Sequence, residues 1–224
     1  MPMGSKLPSI LSFSHRCQPK TKMLVFNLPA TCPICHGVVD TVSVTSPVAE
    51  CPCPFLPASC VPYSAVIQPT DGDFLHAYRQ EDNLHIGITS SVGSVYSYDE
   101  TGVTKETSGW DQCLAIPLLE DFDDDMKRDW NRRLAATTND PQWQSERYQY
   151  DGHNCFDFVV TFLNAIGFSG LDDDQSNPFT RDSFCQDFIL PITSRAGRYI
   201  GTFRSIAKYG VLIQQDSKAS ESTD

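Results

Sequence analysis

The hydrophobic pattern of the chain changes its period about halfway along, and this change is the strongest constraint on its fold. Leu84, Ile86 and Ile88 alternate with other residues, which is the period of a half-buried β-strand. Two further β-type segments follow on either side of the turn between Asp99 and Gly102, as in a hairpin. Beyond residue 120 the apolar residues recur at helical spacing instead. We therefore predict an α+β fold in which an antiparallel sheet packs on helices.

Two amphipathic helices are predicted after the strands. The first covers residues 120–138, and its apolar stripe consists of Phe122, Met126, Trp130 and Leu134. The second begins at or just before Cys155, because Asn154 is a preferred N-cap residue and Asp157 stands three positions after it. Its apolar residues keep helical spacing until Gly167 ends the helix. Both helices thus have one apolar side that can pack on the sheet.

The place of Cys155 at a helix start makes it a candidate nucleophile. Unpaired N–H groups at a helix start stabilise an anion, and the thiolate is the nucleophilic form of cysteine. A thiol also needs a base, and His85 lies on the side of its strand opposite the aliphatic residues. His153, two residues before Cys155, is the competing base. The alternative is structural: a buried cysteine and an unrelated core or surface histidine.

The order of these motifs resembles a known family. A strand with H-x-G-I, a hairpin and a helix opened by N-C-x-x-F-V are similar to the circularly permuted papain-like group, which includes lecithin-retinol acyltransferase-like and PPPDE-type thiol hydrolases, over roughly residues 74–170. The resemblance implies Cys155 as nucleophile, His85 as base and Asp99 or Ser97 as the residue that orients the base. It implies a thiol hydrolase or acyltransferase acting on an ester or amide, or an inactive descendant of one. The whole chain also resembles the makorin-2 opposite-strand family, which implies no substrate.

A cysteine-rich segment precedes this region. Cys32-Pro-Ile-Cys35 has the spacing at which two thiolates share one zinc ion, and Cys51-Pro-Cys53 is the predicted second pair, with one residue fewer between the thiols. Three other residues are alternatives for the second pair: Cys17, His36 and Cys60. A structural zinc ion would help so small a module to fold. The alternative is a metal-free β module with reduced cysteines.

The predicted domain organisation has four parts. Residues 1–11 form a disordered start, residues 12–62 the cysteine-rich and zinc-ribbon-like module, residues 63–213 the papain-like α+β domain, and residues 214–224 a disordered tail. The start is assigned to disorder because it is polar with little periodicity, and the tail because it contains too few apolar residues to offset the entropy that ordering would cost.

Charge and cysteine usage limit the partners and the compartment. The formal net charge of −11 disfavours nucleic acid as a partner, and no apolar run is long enough to cross a bilayer. Nine cysteines without a secretory signal or glycosylation acceptor indicate reduced thiols, hence a soluble protein of the cytoplasm or nucleus. The rival function is a non-catalytic module that binds an unknown protein partner, through the cysteine-rich segment or the basic stretch from Arg195 to Lys208.

Overall fold

The computed structural model describes residues 8–118, 124–168 and 178–215. The predicted start of the first helix, residues 120–123, lies outside this range, as do residues 1–7 and 216–224 of the predicted disordered ends. The chain divides into two compact units. The first consists of Met1–Cys53 and Arg198–Asp224, and the second of Pro54–Gly197.

In the described ranges, eight strands precede four α-helices, and a ninth strand follows the last helix. The strands are β1 Ile10–Phe13, β2 Thr21–Val25, β3 Ala49–Cys51, β4 Ser64–Pro69, β5 Leu84–Thr89, β6 Val95–Asp99, β7 Gly102–Glu106, β8 Leu114–Pro117 and β9 Leu212–Gln215. The α-helices are α1 Asp124–Thr138, α2 Cys155–Ala165, α3 Arg181–Phe184 and α4 Leu190–Tyr209. A π-helical turn, Cys185–Ile189, joins α3 to α4.

The first unit contains a four-stranded antiparallel sheet in the order β3-β1-β2-β9. Phe13, Met23 and Val25 form its buried core together with Cys32. The edge strand β9 comes from the far end of the chain, and Ile213 lies opposite Met23. Strands β1 and β9 thus extend into segments that the sequence predicts to be disordered, because backbone pairing with β2 stabilises them.

Val42-Ser-Val-Thr45, a run of β-type residues in the first unit, is not a strand, and only Val44 forms a single bridge, with His15.

The basic stretch lies in α4, whose half in this unit buries Ile200, Phe203 and Ile206. Its basic residues Arg195, Arg198 and Lys208 are exposed.

The second unit contains a five-stranded antiparallel sheet in the order β7-β6-β5-β4-β8. The histidine strand and the following hairpin are confirmed as β5, β6 and β7. In the pairing of β4 with β5, Ile67 lies opposite Ile86 and Gln68 opposite His85. Strand β4, which occupies the position next to β5 in the sheet, is not among the strands predicted from the sequence.

One face of this sheet packs on helices. The ring of Tyr98 in β6 contacts Trp143 with centroids 5.1 Å apart, and Trp143 contacts Phe158 of α2 at 5.3 Å. Trp130 of α1 contacts Phe162 of α2 at 4.8 Å. The predicted α+β fold, with an antiparallel sheet packed on helices and a cysteine-rich N-terminal segment, is confirmed.

The opposite face of the sheet covers a small buried cluster around Trp110. Val66 belongs to this cluster and lies opposite Gly87 of β5. Because side chains alternate along a strand, His85 shares this face with Gly87. The ring centroids of His85 and Trp110 are 5.7 Å apart.

Candidate functional site

The start of α2 has the geometry that its sequence predicts. Asn154 is the N-cap, and its side-chain oxygen accepts a hydrogen bond of 3.0 Å from the Phe156 N–H. The carboxylate of Asp157 accepts one of 3.0 Å from the Asn154 N–H, which completes a capping box. Cys155 is therefore the first residue of the helix.

The thiol of Cys155 is almost fully enclosed, and the residue is 5% exposed. Burial raises the pKa of this thiol above its usual value, against the opposing effects of the Ile86 and Phe156 N–H groups and of the Arg181 guanidinium. Its resting form at neutral pH is accordingly the neutral thiol. The Ile86 and Phe156 N–H groups act against burial because they stabilise negative charge on the sulfur.

The imidazole of His85 is half-buried beside Trp110. Burial lowers the pKa of His85, and the carboxylates of Asp99, Glu106 and Glu100 offset this effect only in part. The ring is therefore neutral at neutral pH and able to accept a proton. In the described part of the chain no hydrogen bond joins it to the Cys155 thiol.

Asp99 and Ser97, the two candidates for orienting the base, have different surroundings. Asp99 ends β6, and its carboxylate accepts hydrogen bonds from the Thr101 N–H at 2.7 Å and the Thr101 hydroxyl at 2.6 Å. Ser97 is fully buried, and its hydroxyl lies 3.3 Å from that of Thr104. Of the two, Asp99 is the one that acts electrostatically on His85 and lines the same cavity.

Cys155, His85 and Asp99 all line one cavity of about 630 Å³ in the second unit. Its wall is rich in carboxylates, which are Asp82, Asp99, Glu100 and Asp151, and Arg181 is the cation among its lining residues. Tyr148, Tyr150 and Phe156 supply aromatic surface. Such a cavity combines a thiol, an imidazole and an anionic rim within the size range of small-ligand sites.

Two residues of this cavity were not identified from the sequence. Arg181, the first residue of α3, approaches the Asp157 carboxylate to 3.6 Å and lies over the Phe156 ring at 5.4 Å. Burial, and to a smaller extent the nearby Cys155, raises the pKa of Tyr148 to about 12. Neither residue carries a local motif, because each reaches the cavity only through the folding of a separate segment.

His153, the competing base, does not line this cavity. Its ring stacks on Trp143 with centroids 4.6 Å apart and an interplanar angle of 4°. Its Nε2 lies 2.9 Å from the Gln142 carbonyl oxygen. Of the two candidate bases, His85 is thus the one that shares a cavity with Cys155.

A second cluster of reactive side chains lies in the first unit. The ligand atoms of His15, Cys17, Cys32 and Cys35 are all within 4.8 Å of one another, so this group could hold a metal ion. Cys32 and Cys35 belong to the predicted pair, and Cys17 was one of the alternatives. His15 was not predicted, because no short motif connects it with residues 32–35.

The turn that carries Cys32 and Cys35 is closed by backbone hydrogen bonds. The His36 N–H donates to the Cys32 carbonyl at 2.9 Å, and the Cys32 N–H donates to the Gly37 carbonyl at 2.8 Å. His36 has a positive φ of 60° at this turn and is not part of the cluster. The Gly37 N–H is the main cause of a lowered pKa at Cys35.

The predicted second pair lies elsewhere in this unit. Cys51 ends β3 and is opposite Ile10, at the start of β1. His15 and Cys17 follow the other end of β1. Cys51 and Cys53 are not members of the four-residue cluster, so their role as ligands stays a prediction without geometric support.

Comparisons with known proteins place the chain in a family. Residues 48–206 match the family described as DUF4796 C-terminal. The MKRN2 opposite strand protein of Homo sapiens is 27% identical over 205 residues, which cover 92% of this chain and 89% of that protein. No solved structure matches the chain. None of the helices in the described ranges has both the length and the apolar character needed to cross a membrane. Because the match extends over more than half of the chain, the protein belongs to the DUF4796 C-terminal family.

Proposed function

We propose that the cavity in the second unit is a thiol acyl-transfer site of the papain-like type, with Cys155 as nucleophile, His85 as base and Asp99 as the residue that orients it. One observation carries this proposal: three side chains from separate parts of the chain line the same cavity, and the thiol is at the start of a helix. Substrates of this class are esters or amides, as the resemblance to thiol hydrolases implies.

The chemistry follows from the protonation states of the two groups. Burial keeps Cys155 as a thiol and His85 as a neutral imidazole at neutral pH. In the proposed step, His85 accepts the thiol proton while the sulfur bonds to the acyl carbon. The ester C–O or amide C–N bond then breaks, and the imidazolium returns the proton to the leaving group. Water or an acceptor hydroxyl releases the acyl group from the thioester.

A second candidate function is a non-catalytic binding protein that keeps the cavity of an inactive descendant. The observation that favours it is the resting geometry: the Cys155 thiol has a raised pKa, and His85 lies on the sheet face opposite α2 and makes no hydrogen bond to the thiol within the described ranges. A catalytic thiol usually has a base within hydrogen-bond reach and a lowered pKa. In this case the cavity would bind its partner without covalent chemistry.

Alkylation kinetics distinguish the two functions. Purified full-length protein is treated with chloroacetamide at neutral pH, and labelling of each cysteine is followed by peptide mass spectrometry. For the acyl-transfer site we expect Cys155 to react ahead of Cys113, a buried thiol of the same unit whose pKa is about 12. His85→Ala should slow the labelling of Cys155 about tenfold or more, since a positioned base contributes about 10²-fold or more to catalysis.

The matched control is His153→Ala, because this histidine lies outside the cavity. It should leave the labelling of Cys155 unchanged. Hydrolysis of a p-nitrophenyl acyl ester by the wild type, lost in Cys155→Ala, would support the catalytic function directly. If His85→Ala left the labelling rate of Cys155 unchanged and no ester were hydrolysed, the catalytic function would be contradicted. The non-catalytic binding function would then be supported.

A further inference from the structure

We propose that His15, Cys17, Cys32 and Cys35 bind one Zn²⁺ ion in a closed tetrahedral site. The site lies in the first unit and is independent of the thiol cavity and of any activity there. It replaces the ligand set that the cysteine spacing predicts, since His15 and Cys17 stand where Cys51 and Cys53 were expected.

Three of the six distances between the ligand atoms are close to the edges of a zinc tetrahedron, and all six are within 4.8 Å. With Zn–S bonds of about 2.3 Å and Zn–N bonds of about 2.0 Å, two sulfurs are about 3.8 Å apart and a sulfur and a nitrogen about 3.5 Å. The sulfurs of Cys17 and Cys32 are 3.8 Å apart. The Nδ1 atom of His15 is 3.6 Å from the Cys35 sulfur and 3.2 Å from the Cys17 sulfur. Side chains packed only by van der Waals contact have no reason to adopt all three spacings together.

The other ring nitrogen of His15 points to the same conclusion. Nε2 lies 3.3 Å from the carbonyl oxygen of Val38, which can only accept a hydrogen bond, so Nε2 carries the proton. Nδ1 therefore presents its lone pair to the Cys17 and Cys35 sulfurs. The Cys17 N–H makes a long contact of 3.4 Å with Nδ1, which agrees with an unprotonated Nδ1. A histidine that binds a metal through one nitrogen and donates the other N–H to a carbonyl is the usual arrangement at zinc sites.

A backbone N–H group is directed at one of the sulfurs. The Ile34 N–H donates to the Cys32 sulfur at 3.4 Å. A neutral thiol gains little from such a donor, whereas a metal-bound thiolate has negative charge that it stabilises. The turn is thus built for thiolates, the form in which cysteine binds Zn²⁺.

A disulfide explains the cluster less well than a metal. The Cys17 and Cys32 sulfurs are about twice the length of a disulfide bond apart. A bond between any two thiols would also leave the third thiol and the imidazole facing it without a role. Since all four ligands come from the protein, no coordination position stays open for water, and the site is structural rather than catalytic.

Metal content tests the proposal on the full chain. Protein is purified with Zn²⁺ present, dialysed, and analysed for zinc by mass spectrometry. We expect one equivalent per chain in the wild type and loss of that equivalent in Cys32→Ser and Cys17→Ser. The matched controls Cys51→Ser and Cys53→Ser should keep their zinc. A folded wild type without stoichiometric zinc, or loss of zinc in the controls, would overturn the proposal.

Substitution with Co²⁺ keeps the test decisive if a variant fails to fold. Wild-type protein titrated with Co²⁺ should show the intense visible bands of a tetrahedral, thiolate-ligated ion. His15→Cys, which supplies a fourth thiolate, should retain tetrahedral bands with stronger sulfur-to-metal charge transfer, and His15→Ala should weaken Co²⁺ binding at least tenfold. Absence of tetrahedral bands in the folded wild type would refute the site without any variant.

Discussion

In the first unit, three thiols and one imidazole converge within 4.8 Å, whereas in the second unit one thiol, that of Cys155, is buried at the start of a helix. The first arrangement concentrates groups that repel one another as anions, so it becomes favourable when a cation is bound. The second places a single thiol where burial opposes ionisation, and backbone N–H groups and the Arg181 guanidinium offset this effect only in part. Cysteine side chains are thus suited to bind a metal in the first unit. In the second unit, Cys155 is a protonated thiol that becomes a nucleophile only when a base removes its proton.

Metal removal should have the largest effect on stability, and this effect should be confined to the first unit. Because the ligands join the segment after β1 to the turn at Cys32, metal binding stabilises that unit by an amount on the order of several kcal/mol. We expect a chelator to reduce the amide protection of β1 and β2 strongly while β5 keeps its protection. Hydrogen exchange with mass spectrometry measures both. Equal protection of β1 with and without chelator would mean that the first unit does not depend on a metal.

A large-to-small substitution in the second unit should be almost as costly and independent of metal. Trp130 is 1% exposed, packs on Phe162, and its indole N–H donates to the Thr89 carbonyl at 2.9 Å. Trp130→Ala should lower the free energy of unfolding by about 3–5 kcal/mol. Urea denaturation with and without chelator checks this. The control is Val92→Ala, at a residue that is 77% exposed. This substitution should change the free energy of unfolding by less than about 0.5 kcal/mol.

Removal of the cap at the Cys155 helix should have a moderate effect. Asn154 accepts a hydrogen bond from Phe156 and donates one of 2.7 Å to the Tyr150 carbonyl. Asn154→Ala should cost about 1–2 kcal/mol of unfolding free energy, as measured by thermal or urea denaturation. Asn154→Asp keeps the acceptor but loses the donor to the Tyr150 carbonyl, so it should recover only part of the loss. If Asn154→Ala were as stable as the wild type, the cap would contribute nothing to α2.

The smallest effect concerns pH. Burial lowers the pKa of His85 in the folded protein, so the unfolded chain binds the proton more readily. As the pH falls below about 6.5, the usual value of the unfolded group, this residue should destabilise the fold progressively, until the pH has also passed the folded pKa. We expect His85→Gln to lose less stability than the wild type between neutral and mildly acidic pH in urea titrations. A steeper loss in the variant would contradict the lowered pKa.

Local features of the sequence were sufficient for the elements that carry Cys155 and His85. The capping box joins residues three apart, and β5 with its hairpin follows from alternation over a few residues. The surroundings of these elements were not predictable in the same way. Arg181 and Tyr148 come to the cavity from separate segments, and neither has a pattern that marks it.

The sequence by itself determined the α+β class, the helix that begins at Cys155, the strand that carries His85 and one half of the proposed zinc-ligand set, Cys32 and Cys35. Each of these depends on interactions between residues that are close along the chain. Only the tertiary structure indicated the other two proposed ligands, because the pairing of β1 with β3 puts Cys51 beside Ile10, whereas His15 and Cys17 follow the opposite end of β1. The tertiary structure also decided that His85 lies beside Trp110, on the sheet face opposite α2, because the face that a strand presents to a helix is fixed by long-range packing.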